Sequence, residues 1–377
     1  MSTPTTASLL DHFATMPDPR VEYLCEHKLL DIITIAICGV ICGADDWVEI
    51  AAYGQSKAAW LGTFLELPHG IPSHDTFRRV FAMLDGGQFR QCFIQWVSAI
   101  QRRITGEVVA IDGKTLRRSH DQTAGLGTLH VVSAWATDHA LVLGQIKVDD
   151  KSNEITAIPS LLRLLYLQGC IVTLDAMGCQ KLIAAAIRAQ GADYVLAVKE
   201  NQPHLYAKLL ELFQDLEDRH GAHTHYDRVE QVEKNHGRIE TRRYWAVDDP
   251  DHLLYLQNEN WPDLHSVAKV ETLRQVGDAA SREVRYYISS LPGEARRVAH
   301  AIRAHWGIEN SLHWVLDIAF REDEKRLRSR EGAELFAILR HIALNLLKQE
   351  ASAKIGVHGK RLKAAWDDQY LLKVLTV

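Results

Sequence analysis

Apolar residues along this chain recur first at helical spacing and later in short unbroken runs. Up to about residue 104 the spacing is helical. Leu29–Ile50 and Phe77–Ile100 both place apolar side chains three and four apart. The run LLDIITIAICGVICGA, Leu29 to Ala44, contains Asp31 and is shorter than the roughly 20 residues a bilayer span needs, so it predicts a buried helix. In IPSHDTFRRVFAML, Pro72 and Ser73 predict a helix starting near His74 with Ser73 as N-cap. That helix carries Arg78 and Arg79. A short turn before it resembles the second half of a helix-turn-helix, although a plain amphipathic bundle helix fits as well.

The pattern changes at Glu107. EVVAID, LHVVSAWATD and ALVLGQIKVDD are rich in β-branched residues and read as three consecutive antiparallel strands. A helix follows from about Glu154 to Leu167. CIVTLDA reads as a strand covered on both faces, Gln180–Gln190 as a helix, and Asp193–Lys199 as another strand. The order β-β-β-α-β-α-β matches a ribonuclease H-like arrangement. From about residue 221, RRYWAV, HSVAKVETL and REVRYYISSL read as strands between polar turns. From Glu294 the spacing is helical again. The expected fold class is α/β: an N-terminal helical DNA-binding domain (1–104), an RNase H-like core (105–220), a β-rich insertion (221–293), the final core helices (294–351) and a peripheral tail (352–377).

Composition narrows the class. Hydrophobic residues at 47% and charged ones at 24% are ordinary for a soluble globular protein, and no secretory pattern opens the chain. The six cysteines match no zinc spacing, which points to a reduced, cytoplasmic setting with no membrane segment. The net charge of −5 is low for a DNA-binding protein. Basic residues nonetheless gather locally, as in Lys114–Arg117–Arg118, Arg238–Arg242–Arg243 and Arg321–Lys325–Arg326. Local fields, not the sum, decide phosphate binding.

Three acids stand out. Asp112 ends the first core strand, and its Asp-Gly pair reads either as a turn or as a carboxylate set beside basic groups. Asp175 closes the strand IVTL, where it either caps the next helix or joins a site beyond the strand ends. At about 100° per residue, Ile302, His305, Trp306, Leu312, His313, Leu316 and Phe320 fall within about 60° of Glu309, which places Glu309 on an apolar face. A glutamate there is protonated, paired or bound to a cation. Three converging carboxylates suit a pair of magnesium ions, and such a pair suits phosphoryl transfer on nucleic acid.

These acids belong to a wider set of segments: MPDPR (Met16–Arg20), PSHDTFRRVF (Pro72–Phe81), AIDGKTLR (Ala110–Arg117), KSNEI (Lys151–Ile155), TLDAMGCQK (Thr173–Lys181), VKENQ (Val198–Gln202), NHGRIETR (Asn235–Arg242) and HWGIENSLHWVLDIAF followed by REDEKR (His305–Arg326). Jointly they resemble the DDE transposases of bacterial insertion sequences, in particular the H-repeat-associated protein family. The resemblance implies an RNase H-like core with an insertion before the last acid, and a catalytic, metal-binding triad of Asp112, Asp175 and Glu309. It implies two Mg²⁺ ions (Mn²⁺ as a substitute), double-stranded DNA as partner, and a homodimer in the synaptic complex. Related enzymes carry a Tyr-Arg-Glu-Lys signature at the last acid. Here the Arg slot is His305 and the Lys slot is Leu316.

On this reading Lys114, Arg117 and Lys199 contact phosphate, with Arg321, Lys325 or Asn310 standing in for the missing signature. Arg78 and Arg79 serve terminal-repeat recognition. His305 and His313 orient Glu309 or touch phosphate, while Gln180, Asn201 and Gln202 line the site or tie its loops. Three other readings remain: a metal-dependent nuclease without strand transfer, an inactive DNA-binding relic, and a zinc hydrolase using His305, Glu309 and His313, although no His-Glu-x-x-His pattern is present.

Overall fold

The computed structural model describes residues 9–100, 106–117, 128–149, 152–218, 225–235, 237–257, 259–324 and 330–376. Helices come first: α1 (Leu9–Ala14), α2 (Leu29–Ile41), α3 (Trp47–Ser56), α4 (Ala58–Leu61), α5 (His74–Met83) and α6 (Gly86–Ile100). α2 is buried almost throughout, as its apolar run requires. Ser73 caps α5 as predicted, its hydroxyl accepting from the Thr76 N–H.

The described strands form a single sheet. They are β1 (Val108–Leu116), β2 (Leu129–Ala136), β3 (Leu141–Lys147), β4 (Ile171–Leu174), β5 (Asp193–Val198), β6 (Tyr226–Asn235), β7 (Arg238–Val247), β8 (Ser266–Val276) and β9 (Ala279–Ser289), in the spatial order β3-β2-β1-β4-β5-β9-β8-β7-β6. β1, β2 and β3 make an antiparallel meander, and β4 and β5 run parallel to β1. Their connections carry α7 (Glu154–Leu164) and α8 (Lys181–Ala189), and α9 (Pro203–Asp218) follows β5. This is the β-β-β-α-β-α-β order that the apolar runs predict. α7 ends earlier than expected because Leu165 swings into extended backbone and turns the chain back toward β4.

Residues read as an insertion do not stand apart from the core. β6 to β9, with the short α10 (Pro250–Gln257) between β7 and β8, prolong the same sheet, because β9 pairs antiparallel with β5 along Val195–Val198. The chain then crosses back through α11 (Ala295–His305), a π turn (Glu309–His313), α12 (Trp314–Ala319) and α13 (Arg330–Gln349). Strand alternation decides which residues α11 covers. Val108, Ile171 and Val195 pack with Val298, Ala299 and Ile302 in one apolar cluster. Counting in twos from those strand positions reaches Asp112, Asp175 and Lys199, so all three lie toward the α11 face.

The stretch read as a peripheral tail is α14 (Val357–Trp366) and α15 (Asp368–Leu375), and it is anchored inside. Arg361 is buried. Its guanidinium donates to Val40 O at 2.8 Å, Asp45 Oδ1 at 3.1 Å and the Ala319 carbonyl, and it lies 4.2 Å over the Phe320 ring. One side chain thus joins the N-terminal helices, α12 and the C-terminus. Among the described residues, no helix is long and apolar enough to cross a membrane. Arg361→Met leaves the Asp45 carboxylate buried without its partner and is expected to destabilise the fold by about 3–5 kcal/mol in urea unfolding. A loss below about 1 kcal/mol would remove Arg361 from this anchoring role.

Candidate active site

Asp112 projects from the middle of β1 and is mostly covered, with a side-chain exposure of 24%. Its pKa is pushed up to about 7, first by burial and then by the negative charges of Asp175, Glu154 and Glu309, while a bond from the Gly113 N–H opposes the shift. Both predicted partner acids therefore act on Asp112 through space. They do so electrostatically rather than as a preformed cage. Among the described residues, no three His, Cys, Asp or Glu side chains gather tightly enough to hold a metal ion.

Asp175 sits just beyond β4 and is exposed. Its Oδ1 accepts from the Gly178 N–H at 3.1 Å and closes a turn, but it does not cap α8, which starts later, at Lys181, with Gln180 as N-cap. The loop it opens is tied down from behind. Asn201 Nδ2 donates to Ala176 O at 2.6 Å, Gln202 Nε2 to Cys179 O at 2.9 Å, and Gln180 Nε2 to Met177 O at 3.3 Å. These three amides face the loop backbone, not the cavity.

Glu309 departs from the sequence expectation. It is exposed, whereas Ile308, Leu312 and Leu316 form the buried side. Constant helical rotation carried through residues 306–313 misplaces it, because α11 ends at His305 and Glu309 opens a π turn that spreads the phase. The carboxylate stands at the rim of the apolar face, where a solvated ligand can reach it. Asn310 is also exposed, its amide donating to Trp306 O at 3.1 Å.

The two histidines flanking Glu309 are held neutral. Burial drives His305 down to about 4, and its Nδ1 meets Thr173 Oγ1 at 3.0 Å. Burial, then the Lys114 charge, lowers His313 to about 4. His313 Nδ1 lies 3.6 Å from Asp112 Oδ2, beyond hydrogen-bond reach, and its buried Nε2 has no partner. At neutral pH neither ring offers phosphate a positive charge.

The basic candidates divide. Lys114 is buried rather than presented to a ligand: its ammonium lies 2.5 Å from Asp317 Oδ1 and 2.7 Å from Glu322 Oε2. Strand alternation is the reason, since Lys114 faces inward with Asp112. Arg117 is 81% exposed and reaches Asp323 Oδ2 at 3.4 Å. Lys199 is exposed at the mouth of a cavity of about 80 Å³ lined by Thr173, Asp175, Arg285, His305 and Trp306. Arg321 is exposed and paired with Glu324, in a left-handed backbone conformation. Arg78 and Arg79 are exposed on α5, both bonded to Asp75, and α5 rests chiefly on α3 and α13. Lys325, Arg326 and Arg118 lie outside the described residues.

Sequence reasoning missed two features. Glu154, at the start of α7, is a fourth carboxylate acting on Asp112; it meets His130 Nε2 at 2.6 Å. Its only signal is the KSNEI segment. The second is a groove of about 540 Å³ that adjoins the small cavity across Arg285 and Trp306. Arg238, Arg242, Arg274 and Arg303 line it, and it reaches Glu309 and Asn310. These arginines are already met by internal carboxylates, for example Arg238 with Glu240 at 2.8 Å and Arg303 with Glu233 at 3.2 Å. Arg285 lies 4.5 Å over the Trp306 ring where the two spaces join.

Similarity to known proteins identifies the family. A family model described as "Transposase DDE domain" matches residues 104–346, and one described as "DDE_Tnp_1-associated" matches residues 10–97. "H repeat-associated putative transposase YhhI" of Escherichia coli (strain K12) is 43% identical over 371 residues, covering 97% of each chain. "Inactive transposase YbfQ" of the same strain is 39% identical over 72 residues, 19% of this chain and 86% of that protein. Among solved structures, a piggyBac transposase synaptic complex with hairpin DNA covers 97% of this chain and 77% of that chain at 9% identity and a TM-score of 0.41, too low for any detail to be transferred. The chain belongs to the DDE transposases, among the H repeat-associated proteins.

Proposed function

We propose that this protein cuts DNA at the ends of an insertion sequence and joins the freed 3′-OH to target DNA, with Asp112, Asp175 and Glu309 as its catalytic acids. The observation carrying this is the raised pKa of Asp112, to which Asp175 and Glu309 contribute from distant parts of the chain. Asp112 is more readily ionised where positive charge offsets its burial and its acidic neighbours. Its place on a β3-β2-β1-β4-β5 sheet supports the RNase H-like reading of the core.

The donor set fits hard divalent cations, since its three acids offer carboxylate oxygen only. Asp112, Asp175 and Glu309 would hold two Mg²⁺ ions, with Mn²⁺ as a substitute. Bound there, the ions supply charge stabilisation to the attacking and leaving oxygens of an in-line displacement. The remaining work falls to the chain itself. Asn201, Gln202 and Gln180 hold the loop that presents Asp175. Lys199 at the cavity mouth and the arginine groove beside Glu309 offer backbone phosphates a path to the acids. Exposed Arg117, Arg78 and Arg79 extend the basic surface, and Arg78 and Arg79 serve recognition of the terminal repeats. Two copies meet in the synaptic complex. The six free cysteines suit a reducing cytoplasm.

A relative named inactive keeps a second reading in view, that of a DNA-binding relic, and cleavage without joining would make the protein a nuclease. One incubation separates the three: the protein with Mg²⁺, a donor end and a supercoiled target. Joined products are expected; cut products alone indicate the nuclease, and no products the relic. Asp112→Asn and Glu309→Gln are expected to reduce joining to background, and wild-type joining by either would sink the triad.

The same shift predicts a pH dependence. A carboxyl whose folded-state pKa is raised stabilises the fold below its unfolded value and loses that contribution as pH rises through the folded one. Without metal, Asp112 therefore weakens the fold progressively between about pH 4 and about pH 7. Asp112→Asn is expected to be more stable than wild type at pH 8, by on the order of a few kcal/mol, and equal to it near pH 4. Equal stabilities at both pH values would show that neither burial nor neighbouring charge disfavours the ionised Asp112.

For the groove, the readout is salt. Arg274→Ala and Arg303→Ala are each expected to flatten the slope of log affinity for DNA against log salt by about one. An unchanged slope would remove the groove from the path of the strand.

A further inference from the structure

The strand that carries Asp112 is supported on one side only where the acid sits. β4 pairs with β1 through Val108–Ala110 and then stops, whereas β2 follows β1 to Leu116. Backbone from Ile111 onward has a neighbour on a single edge, and the carboxylate it bears is repelled by the other acids of the site. Something beyond sheet pairing must set the distance between Asp112 and Glu309.

Lys114 is placed to do this. It lies two residues after Asp112 on the same face, with only 12% of its side chain exposed. Asp317, which it meets at 2.5 Å, is on α12, and α12 begins directly after the π turn that Glu309 opens. Glu322, which it meets at 2.7 Å, is wholly buried and uses its other oxygen to meet Arg340 Nη1 of α13 at 3.4 Å. Two cations and two anions balance. Burial disfavours the Lys114 ammonium, but Glu322 and Asp317 outweigh it and raise its pKa. The opposite face of the strand is also held. The Glu154 carboxylate and the His130 ring lie over Gly113 so closely that a Cβ there would overlap both.

We propose that Lys114 is a positioning residue of the acid site, fastening the strand of Asp112 to the helix that continues from Glu309 and so fixing the separation of the first and last acids. The inference rests on the triad reading above. A clamp of this kind acts on cation binding and on turnover, and leaves DNA affinity alone, because neither Lys114 nor Asp317 lines the arginine groove.

The test uses the full-length protein with Asp317→Asn, Lys114→Met and Lys114→Arg. Asp317→Asn is the decisive variant, since Lys114 keeps Glu322 and the fold keeps its buried ion pair even where Lys114→Met fails to fold. Four quantities are measured: melting temperature, Mn²⁺ affinity by electron paramagnetic resonance without DNA, kcat and KM for cleavage, and the Mg²⁺ concentration giving half-maximal cleavage. Asp317→Asn is expected to weaken Mn²⁺ binding and raise the Mg²⁺ requirement about tenfold, lower kcat by about tenfold or more, and leave KM unchanged. Lys114→Arg is expected to recover part of the cation affinity that Lys114→Met loses. A lower melting temperature with unchanged Mn²⁺ affinity and kcat would overturn the clamp and leave Lys114 a structural ion pair. Asp112→Asn is the control for the underlying reading. If it cleaves like wild type, the triad is wrong, and the Mn²⁺ measurement still decides whether Lys114 governs a cation site.

Discussion

The acid site is constrained first by one mostly covered carboxylate, that of Asp112. Asp112 is mostly covered, and Asp175, Glu154 and Glu309 all bear on it, so its charged form is disfavoured both by lost solvent and by like charge. A fold does not bring such groups together by default; left alone, the chain would relax to separate them. What opposes that relaxation is rigid apolar packing. Val108, Ile171 and Val195 lock β1, β4 and β5 against α11; Asp112 lies on β1, Asp175 directly follows β4, and Glu309 opens the π turn beyond α11. The hydrophobic cluster thus holds an electrostatic tension that a divalent cation would relieve.

The surrounding ionic architecture sorts into two kinds. Behind the site, charges are buried and balanced in fixed pairs: Lys114 with Asp317 and Glu322, and Arg361 with Asp45. Breaking such pairs leaves an uncompensated charge in low dielectric, so they act as rigid struts. In front of the site, Arg238, Arg274 and Arg303 are 41–52% exposed, and their partners are internal glutamates. Exposed pairs are worth little and exchange readily. Of these glutamates only Glu233 is exposed and easily displaced; Glu240 is buried and shared by Arg238, Arg242 and Arg274.

Much of the sheet was legible because its central strands are apolar runs flanked by turn residues. β6, with the sequence YDRVEQVEKN, was not read as a strand. It is polar on both faces, lies at the sheet edge and pairs only with β7, so no burial imprints a pattern on it. Glu309 was singled out for a geometrical reason that fails: a constant rotation per residue does not survive the π turn. The Lys114 reading failed through distance. Its neighbours Arg117 and Arg118 suggested a basic surface, whereas its true partners lie 203 and 208 residues further along the chain. Local sequence shows which residues are unusual; only the fold shows what satisfies them.

The same division resolves the overall acidity. A net charge of −5 opposes long-range attraction of DNA, and in the groove Glu240, Glu233 and Glu283 serve as counterions to the arginines. Their charge cancels at contact distance while the chain is alone. On the proposed function, a phosphate backbone entering the groove would meet guanidiniums already held in place by Glu240 and Glu233. Discrimination then comes from spacing. On the proposed function, a ligand bearing one or two negative charges would gain little over the resident carboxylates, whereas a continuous strand would engage several arginines along the path that ends at Glu309.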